Sequence, residues 1–363
     1  MLTTAFAVAA AILVLATLLP ITHISHWVVR GLDFPRLQIA AASVALLTAS
    51  VLLLDAEAPT SLAIIICYTL VAVYQGWWIF PYTPLFPHQV QSSKTITPER
   101  RLRILSSNVL MPNKNANALL ALINQYHPDI IVTLESNLWW QQHLDTLADQ
   151  YPHSIKCPTD NLYGMHVYSK RALKNGRVDY LIDEHIPSMR ATITLDSGDE
   201  VRLHFLHPTP PSPTENETSS DRDSELIIVA KELRNYKKPV IVTGDLNDVA
   251  WSKTTHLFRH LSGLKDPRIG RGMFNTFHAS YWFLRWPLDH LFHSDHFALK
   301  SIRRLKLKGS DHFALFTELN LKPSTITTEY NNENGEELSE DEQSLMEQRH
   351  QEQQAKASNN PSS

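Results

Sequence analysis

The hexapeptide SDHFAL occurs twice in this 363-residue chain, first at Ser294 and again at Ser310. Adjacent Asp and His side chains are frequent in hydrolytic sites, because a carboxylate orients an imidazole and favours its charged form. The two copies are identical, so their positions in the fold must decide which of them does chemistry.

Further polar residues stand where short apolar runs begin or end. The set, in chain order, is Asn108, Glu135, His207, Asp245, Asn247, Asp289, Asp311 and His312. Taken singly, each has an ordinary interpretation: Asn and Asp often cap turns after strands, a lone Glu is usually solvated, and His-Pro is usually a rigid corner. Their common placement at strand ends makes them joint candidates for one site.

The elements that would position these residues are strands mixed with helices. The predicted strands are residues 102–106, 130–134, 201–206, 240–243, 289–293, 297–307 and 313–319, and the predicted helices are residues 116–126 and 224–236. The run at 130–134 is almost continuously apolar and β-branched, which is typical of a strand buried on both faces. We expect the strands at 289–293 and 297–307 to pair with each other. This alternation favours an α/β or α+β sandwich over a helical bundle.

The order of the motifs resembles the endonuclease/exonuclease/phosphatase superfamily. It runs from Asn108 through LES, His-Pro, GDLND and the strand-opening Asp289 to SDH before the last strand. The resemblance covers residues 100–321. Within the superfamily, the chain resembles a membrane-anchored bacterial branch. It implies a DNase I-like fold, a two-sheet β-sandwich flanked by helices. It also implies hydrolysis of phosphate esters with Mg²⁺, or Mn²⁺ as a possible substitute.

The resemblance also implies a role for each residue. Asn108, Glu135 and Asp311 would form the metal shell, and Asp245 would orient or deprotonate the attacking water. Asn247 would donate a hydrogen bond to the transition state, and His207 would support the leaving group. His312, oriented by Asp289, would stabilise the phosphoryl oxygens or act as an acid or base. Gly309 loosens the chain before this second copy, whereas His296 would lie on a turn.

Three runs without Asp, Glu, Lys or Arg precede this domain, at residues 3–21, 37–54 and 61–80. Each is long enough, as a helix, to cross a hydrocarbon core of about 30 Å. Buried core helices are the alternative. Arg30 and Arg36 flank the first loop, and a basic segment at 100–103 follows the third run, so we expect a multi-pass inner-membrane protein with its domain in the cytoplasm.

The predicted organisation is therefore a membrane anchor at 1–90, a hydrolase domain at 100–321 and a disordered acidic tail at 322–363. With 33 basic and 37 acidic residues, the chain has no bulk basic excess of the kind that favours nucleic acid. Its two cysteines exclude a disulfide framework.

The substrate remains open at this point. The function predicted is a membrane-anchored phosphoesterase acting on a phosphodiester or phosphomonoester, in a lipid headgroup, a nucleic acid or an inositol phosphate. A membrane-tethered nuclease acting on DNA or RNA is the rival, and an inactive binding or scaffold module is an alternative of another class. The basic residues at 303–308 could follow a phosphate backbone, but a solvated strand face is the better explanation. The YWFLRW segment at 281–286 could stack on bases or enter lipid headgroups, and packing against the sandwich explains it at least as well.

Overall fold

The computed structural model describes residues 1–55, 57–95, 97–323 and 338–359. Its central domain packs two mixed sheets against each other. The first sheet has the strand order β10 (Phe297–Lys306), β11 (Phe313–Leu321), β1 (Arg101–Asn108), β2 (Ile130–Leu134), β4 (Met165–Ser169) and β3 (His153–Cys157). The second has the order β5 (Lys174–Asp179), β6 (Ser188–Thr194), β7 (Glu200–Leu206), β8 (Val240–Asp245) and β9 (Asp289–His293). The predicted two-sheet sandwich is confirmed.

Each sheet contains one parallel pair, β1 with β2 and β7 with β8. Parallel neighbours need a crossover connection. It is supplied by α5 (Ala116–Tyr126) in the first sheet and α7 (Ser220–Leu233) in the second. Apolar residues of both sheets, among them Ile104, Val132 and Phe205, fill the space between them. All five residues of β2 are buried, as its apolar run predicts.

Helices cover the outer faces of the sandwich. On the first sheet, α5 buries Ala116, Leu119 and Ile123 at helical spacing, and it ends at His127, whose φ of 45° is left-handed, just before Pro128. The short helix α6 (Leu138–Leu144) packs beside it. On the second sheet, α7 packs with α8 (Lys253–Ser262). Short 3-10 helices lie at Leu19–Ile21, Phe80–Tyr82, Pro98–Arg100 and Asp145–Leu147.

The predicted pairing of residues 289–293 with 297–307 is wrong. Strand β9 pairs with β8 at the edge of the second sheet, whereas β10 pairs with β11 at the edge of the first. The three residues between them, Ser294 to His296, therefore carry the chain from one sheet to the other. A short connection reads as a hairpin in sequence, and only the packing of the two sheets separates its strands.

The chain before the sandwich forms α1 (Leu2–Leu18), α2 (Trp27–Gly31), α3 (Arg36–Leu53) and α4 (Pro59–Ile79). Within the described residues, the segments Leu2–Ile21, Arg36–Leu53 and Pro59–Tyr82 are long and apolar enough to cross a membrane. Buried polar contacts join them: Tyr68 donates to the Phe6 carbonyl at 2.8 Å, and Gln75 donates to Thr17 at 2.9 Å.

The disorder predicted for residues 322–363 is wrong for Glu340–Asn359, which form helix α9. Arg349 of this helix donates to buried Asp223 of α7 at 2.7 Å, and Leu345 is buried against the helices of the second sheet. Composition misled the prediction, because one buried ion pair and a few apolar contacts anchor a segment that is polar on average. Residues 324–337 and 360–363 of the predicted tail lie outside the described residues.

Candidate active site

The polar residues singled out in the sequence converge at one end of the two parallel strand pairs. Asn108 ends β1, Glu135 follows β2, His207 follows β7 and Asp245 ends β8. Asp289 opens β9 directly opposite Asp245 in the antiparallel register. The residues that border the cavity of about 260 Å³ at this end include Glu135, His207, Asn247, Asp311 and His312.

His312 lies between two carboxylates. Its Nδ1 is 2.8 Å from Asp289 Oδ2, and its Nε2 is 3.5 Å from Asp245 Oδ2. Burial lowers the pKa of His312, but the charges of Asp245 and Asp289 outweigh burial and raise the pKa to about 10. The imidazole is therefore a cation near neutral pH, which makes it a hydrogen-bond donor rather than a general base.

The two carboxylates respond differently to this cation. The pKa of Asp289 is raised because burial is the largest influence on it, although His312 opposes the effect. The pKa of Asp245 is lowered against its burial, chiefly by the charge of His312 and also by His207. Asp245 is thus the ionised carboxylate next to His312 Nε2, and Asp289 orients the imidazole through its Nδ1.

Asn108 ties the first sheet to this pair. Its amide nitrogen donates to Glu135 Oε1 at 2.7 Å and to Asp245 Oδ2 at 3.1 Å, while its oxygen accepts from the Leu110 backbone at 3.1 Å. Burial raises the pKa of Glu135 to about 7, although the Asn108 hydrogen bond opposes that rise. In this arrangement Asn108 orients two carboxylates and does not itself present an oxygen to the cavity.

Asn247 is held in a left-handed turn after β8, with a φ of 51°. Its backbone N–H donates to Asp245 Oδ1 at 3.0 Å, and its side chain donates to the Pro208 carbonyl at 2.9 Å. Arg222 of α7 donates to the Asn247 carbonyl at 2.8 Å. These three hydrogen bonds fix the turn, and they hold Asn247, which lines the cavity, against the buried Asp245.

His207 also lines the cavity and is largely buried. Burial lowers its pKa to about 4, so the imidazole is neutral near pH 7. Its Nδ1 is buried and has no hydrogen-bond partner among the described residues. A neutral imidazole with an unused nitrogen is suited to exchanging a hydrogen bond with a leaving group, which is the role predicted for it.

The second SDHFAL copy enters the site through its first three residues. Gly309 has a φ of 95°, and a Cβ there would lie 2.2 Å from Asn113 Oδ1, so the position requires glycine. Ser310 donates to the Asn108 carbonyl at 2.8 Å and accepts from the His312 backbone at 3.0 Å. These contacts fix His312 at the start of β11. His296 of the first copy lies outside the site, with its Nδ1 2.9 Å from Ser294 Oγ.

Two groups of residues have ligand atoms suited to a metal ion. Asp245, Asp289 and His312 place their ligand atoms within 4.8 Å of one another. There the imidazole is a cation shared by both carboxylates, which disfavours a second cation between them. The other group is Glu135 with Asp311, whose Oδ1 is buried without a hydrogen-bond partner among the described residues. A carboxylate oxygen left unsatisfied in this way fits a hard divalent cation, and Mg²⁺ and Mn²⁺ both prefer oxygen ligands.

Several cavity residues were missed by the sequence predictions. Tyr163 donates to Glu215 across the cavity mouth, and Phe277 lies with its ring centroid 4.9 Å from that of His312. Phe34 also lines the cavity, although it belongs to the segment between α2 and α3. Nothing in the local sequence marks these residues, because each reaches the site through the packing of distant segments.

Comparison with known proteins places this geometry in context. The model of the endonuclease/exonuclease/phosphatase family matches residues 105–312. The chain is similar to an endonuclease/exonuclease/phosphatase from Beutenbergia cavernae DSM 12333, with 18% identity and a TM-score of 0.50 over 61% of this chain and 72% of that one. It is also similar to the human Nocturnin catalytic domain with bound sulfate, with 17% identity and a TM-score of 0.50 over 63% of this chain and 97% of that one. At such identities the likeness concerns the fold. A search of curated proteins found no match.

Proposed function

Because the chain belongs to the endonuclease/exonuclease/phosphatase family, we propose that it is a Mg²⁺-dependent phosphoesterase, anchored in a membrane, that hydrolyses a phosphodiester or phosphomonoester. The observation that carries this proposal is the position of His312, a buried cation between Asp245 and Asp289 at the wall of the cavity. A fixed positive donor of this kind stabilises the charge that develops on a phosphoryl group in the transition state.

Glu135 and Asp311 would hold the metal ion, and Asn108 would keep Glu135 in place. When bound, Mg²⁺ would neutralise phosphoryl oxygens, which is the chemistry that phosphate transfer needs most. Asp245 is ionised, and its Oδ1 accepts from the Asn247 backbone, so it is suited to orienting the attacking water and accepting its proton. Asn247 and His207, which both line the cavity, would donate to the substrate.

The membrane-proximal end of the fold supports a substrate presented by a bilayer. Phe34, between the first two candidate spans, lines the active-site cavity. The segment that follows Phe277 exposes Tyr281, Trp282 and Phe283. Gln38, in the first turn of α3, donates to the carbonyl of Phe283 at 2.8 Å. The aromatic loop at 281–284 therefore lies beside the end of a span and close to the cavity, where an ester at the lipid surface would enter.

A nuclease is the second candidate. Arg285 and Arg304 both lie against the ring of Phe313, at 4.9 and 4.5 Å from its centroid, and Phe313 adjoins His312. Two guanidinium groups beside the catalytic residue would attract a polyanionic chain. A lipid-linked ester remains our first choice, because the loop between the first two candidate spans contributes Phe34 to the cavity.

The test is a substrate screen with the purified full-length protein in detergent micelles and in lipid nanodiscs. We expect Mg²⁺-dependent hydrolysis of a phosphate ester, abolished by chelator, with a phospholipid or inositol phosphate preferred to single-stranded DNA or RNA. His312→Ala serves as the inactive control. Preference for nucleic acid would favour the nuclease. No turnover together with no Mg²⁺ binding by calorimetry would favour a binding or scaffold module.

A further inference from the structure

A second cavity, of about 670 Å³, lies where the third candidate span meets the folded domain. Trp77 and Trp78 from the end of α4 form one part of its wall, and Trp251 and Ile269 of the domain form another. None of the residues lining this cavity lines the catalytic one. It is mostly apolar, and nothing in the proposed hydrolysis makes use of it.

One guanidinium, that of Arg259 on α8, lines this cavity. Among the residues that the structure describes, it makes two long hydrogen bonds, from Nη1 to the Tyr82 hydroxyl and from Nη2 to Gln89 Oε1, both at 3.4 Å. Its Nε is buried and has no hydrogen-bond partner in the described part of the chain. A cation surrounded by aromatic side chains and held by such weak contacts is costly unless an anion completes the site.

The acidic groups nearby already have partners. Asp266 forms a buried pair with Arg268, at 2.8 Å between Asp266 Oδ2 and Arg268 Nη2, and its charge attracts Arg259 without forming an ion pair with it. Glu342 of α9 approaches two histidines of α8, at 2.8 Å from His260 Nδ1 and 3.6 Å from His256 Nδ1, and only His256 lines the cavity. Among the described residues, no carboxylate lies within ion-pair distance of Arg259, and the residues that line the cavity include Arg259 but no Asp or Glu.

We propose that this cavity binds one anionic phospholipid, with its phosphate against Arg259 and its acyl chains along the aromatic end of α4. The orientation of the lipid follows from the order of residues along the third span. Tyr82, at the domain end of the span, contacts Arg259. Trp77, one turn or more nearer the bilayer, is 78% exposed. A guanidinium binds phosphate with two N–H groups, and aromatic rings are favoured at the lipid headgroup level. This inference rests on the proposed membrane anchoring and is independent of the proposed hydrolysis.

Native mass spectrometry of the full-length protein tests the site, after extraction into mild detergent with dimyristoyl phosphatidylglycerol or phosphatidylcholine added. We expect one phosphatidylglycerol to be retained in preference to phosphatidylcholine. Arg259→Gln should weaken its binding about tenfold, because a charge-assisted contact to phosphate is lost. Arg259→Lys should restore most of it. The control is Arg271→Gln, since Arg271 is half-buried nearby and donates to backbone carbonyls outside the cavity. Equal retention of both lipids, or equal losses in the Gln variants at 259 and 271, would overturn the proposal.

A photoactivatable phosphatidylglycerol provides a test that needs no variant. Crosslinks to the peptides containing Trp77–Gln89 and Ala250–Arg259 in the wild-type protein are expected, and crosslinks confined to α1 and α3 would contradict the site. Resistance to carbonate extraction tests the anchoring separately. Turnover of soluble bis(p-nitrophenyl) phosphate tests hydrolysis separately, and Arg259→Gln should leave it unchanged.

Discussion

At the scale of single residues, the two SDHFAL copies provide a matched comparison. His312 contacts Asp289 and Asp245 at the cavity wall, whereas His296 lies on the connection between the two sheets. We predict that His312→Ala lowers turnover by roughly 10²–10⁴, equivalent to about 3–5 kcal/mol, because a charged donor to the transition state is removed. His296→Ala should retain near wild-type turnover, measured under the same conditions. Similar losses in both would show that His296 is not a simple connecting residue, and a loss only in His296→Ala would move the active site to the first copy.

Glu135 provides a test of the metal proposal. Glu135→Gln replaces an anion with a neutral amide of the same shape, so Mg²⁺ affinity should fall because most of the attraction to a dication is lost. Isothermal calorimetry of Mg²⁺ binding measures this directly. Activity should disappear in chelator and return with Mg²⁺ or Mn²⁺. Asp145→Asn is the control, since Asp145 is an acidic residue paired with Lys156 away from the cavity. Unchanged Mg²⁺ affinity in Glu135→Gln would assign the ion to other ligands.

Glu225 predicts a pH dependence of stability that is separate from catalysis. It is buried on α7, where burial raises its pKa to about 7, although Ser188 donates to it at 3.0 Å. A folded pKa above the unfolded value means that the carboxyl contributes full stability below about pH 4.5, and this is lost as the pH rises through about 7. Glu225→Gln mimics the protonated acid. It should therefore be more stable than wild type at pH 8, by up to roughly 3 kcal/mol, and about equal to it at pH 5.

Denaturant unfolding of the two proteins at pH 5 and pH 8 measures this difference. Glu232→Gln is a suitable control, because Glu232 lies on the same helix but is exposed and paired with Arg190 and Arg202. A stability difference between wild type and Glu225→Gln that is the same at both pH values would contradict the assignment.

At the scale of elements, the position of the loop at 281–284 predicts that it helps to bring a membrane-embedded substrate to the active-site cavity. Trp282 is 81% exposed and Phe283 is 53% exposed, beside the start of α3. Trp282→Ser with Phe283→Ser should reduce hydrolysis of an ester embedded in vesicles, because aromatic side chains stabilise contact with the headgroup region. Turnover of soluble bis(p-nitrophenyl) phosphate should be retained. Tyr180→Ser, which removes an exposed aromatic residue next to β5, is the control. Equal loss on both substrates would indicate a structural role for the loop.

The elements also show what could be predicted from the sequence. Period and composition were sufficient for β2 and α5, whose burial follows from local residue types, and for the three apolar helices, whose length and hydropathy are also local properties. The turn that carries β9 into β10 was misread, since its strands belong to different sheets. Helix α7 begins at Ser220 rather than at the predicted residue 224, because its first turn buries Arg222 and Asp223 as a salt bridge. Polar residues at buried positions interrupt the apolar periodicity on which helix predictions from sequence depend.

The candidate site was more predictable than the elements around it. Its eight residues stand at strand ends in the order that the family motif specifies, and the structure brings them to one end of the sandwich. The sequence could not predict which contacts each of these residues makes. Asn108 donates to carboxylates, and Asp245 and Asp289 share one imidazole, which depends on contacts between two sheets. The contribution of Phe34 to the cavity depends on how the anchor packs on the domain.

At the scale of the whole molecule, contacts between the anchor and the domain predict on which side of the membrane the domain would lie. The segment between the first and second spans contacts the domain, since the Trp27 N–H donates to the Glu217 carbonyl at 2.9 Å. The end of the third span does so too, through the Tyr82 hydroxyl and the Ala250 carbonyl at 2.5 Å. With the three apolar segments crossing a bilayer as proposed, both contacts would place the basic residues of the first loop on the same side as residues 97–323. Basic loops remain in the cytoplasm, so the hydrolase domain should be cytoplasmic.

Protease added to intact spheroplasts should therefore leave the domain uncut, and the same protease after lysis should digest it. A reporter that is active only in the periplasm should be active when fused between the second and third spans, after Asp55, and inactive when fused after Arg103. The internal comparison is useful because both fusions share the first two spans. Digestion of the domain in intact spheroplasts would reverse the orientation. It would also place the active-site cavity at the opposite face of the membrane, where different phosphate esters are available to it.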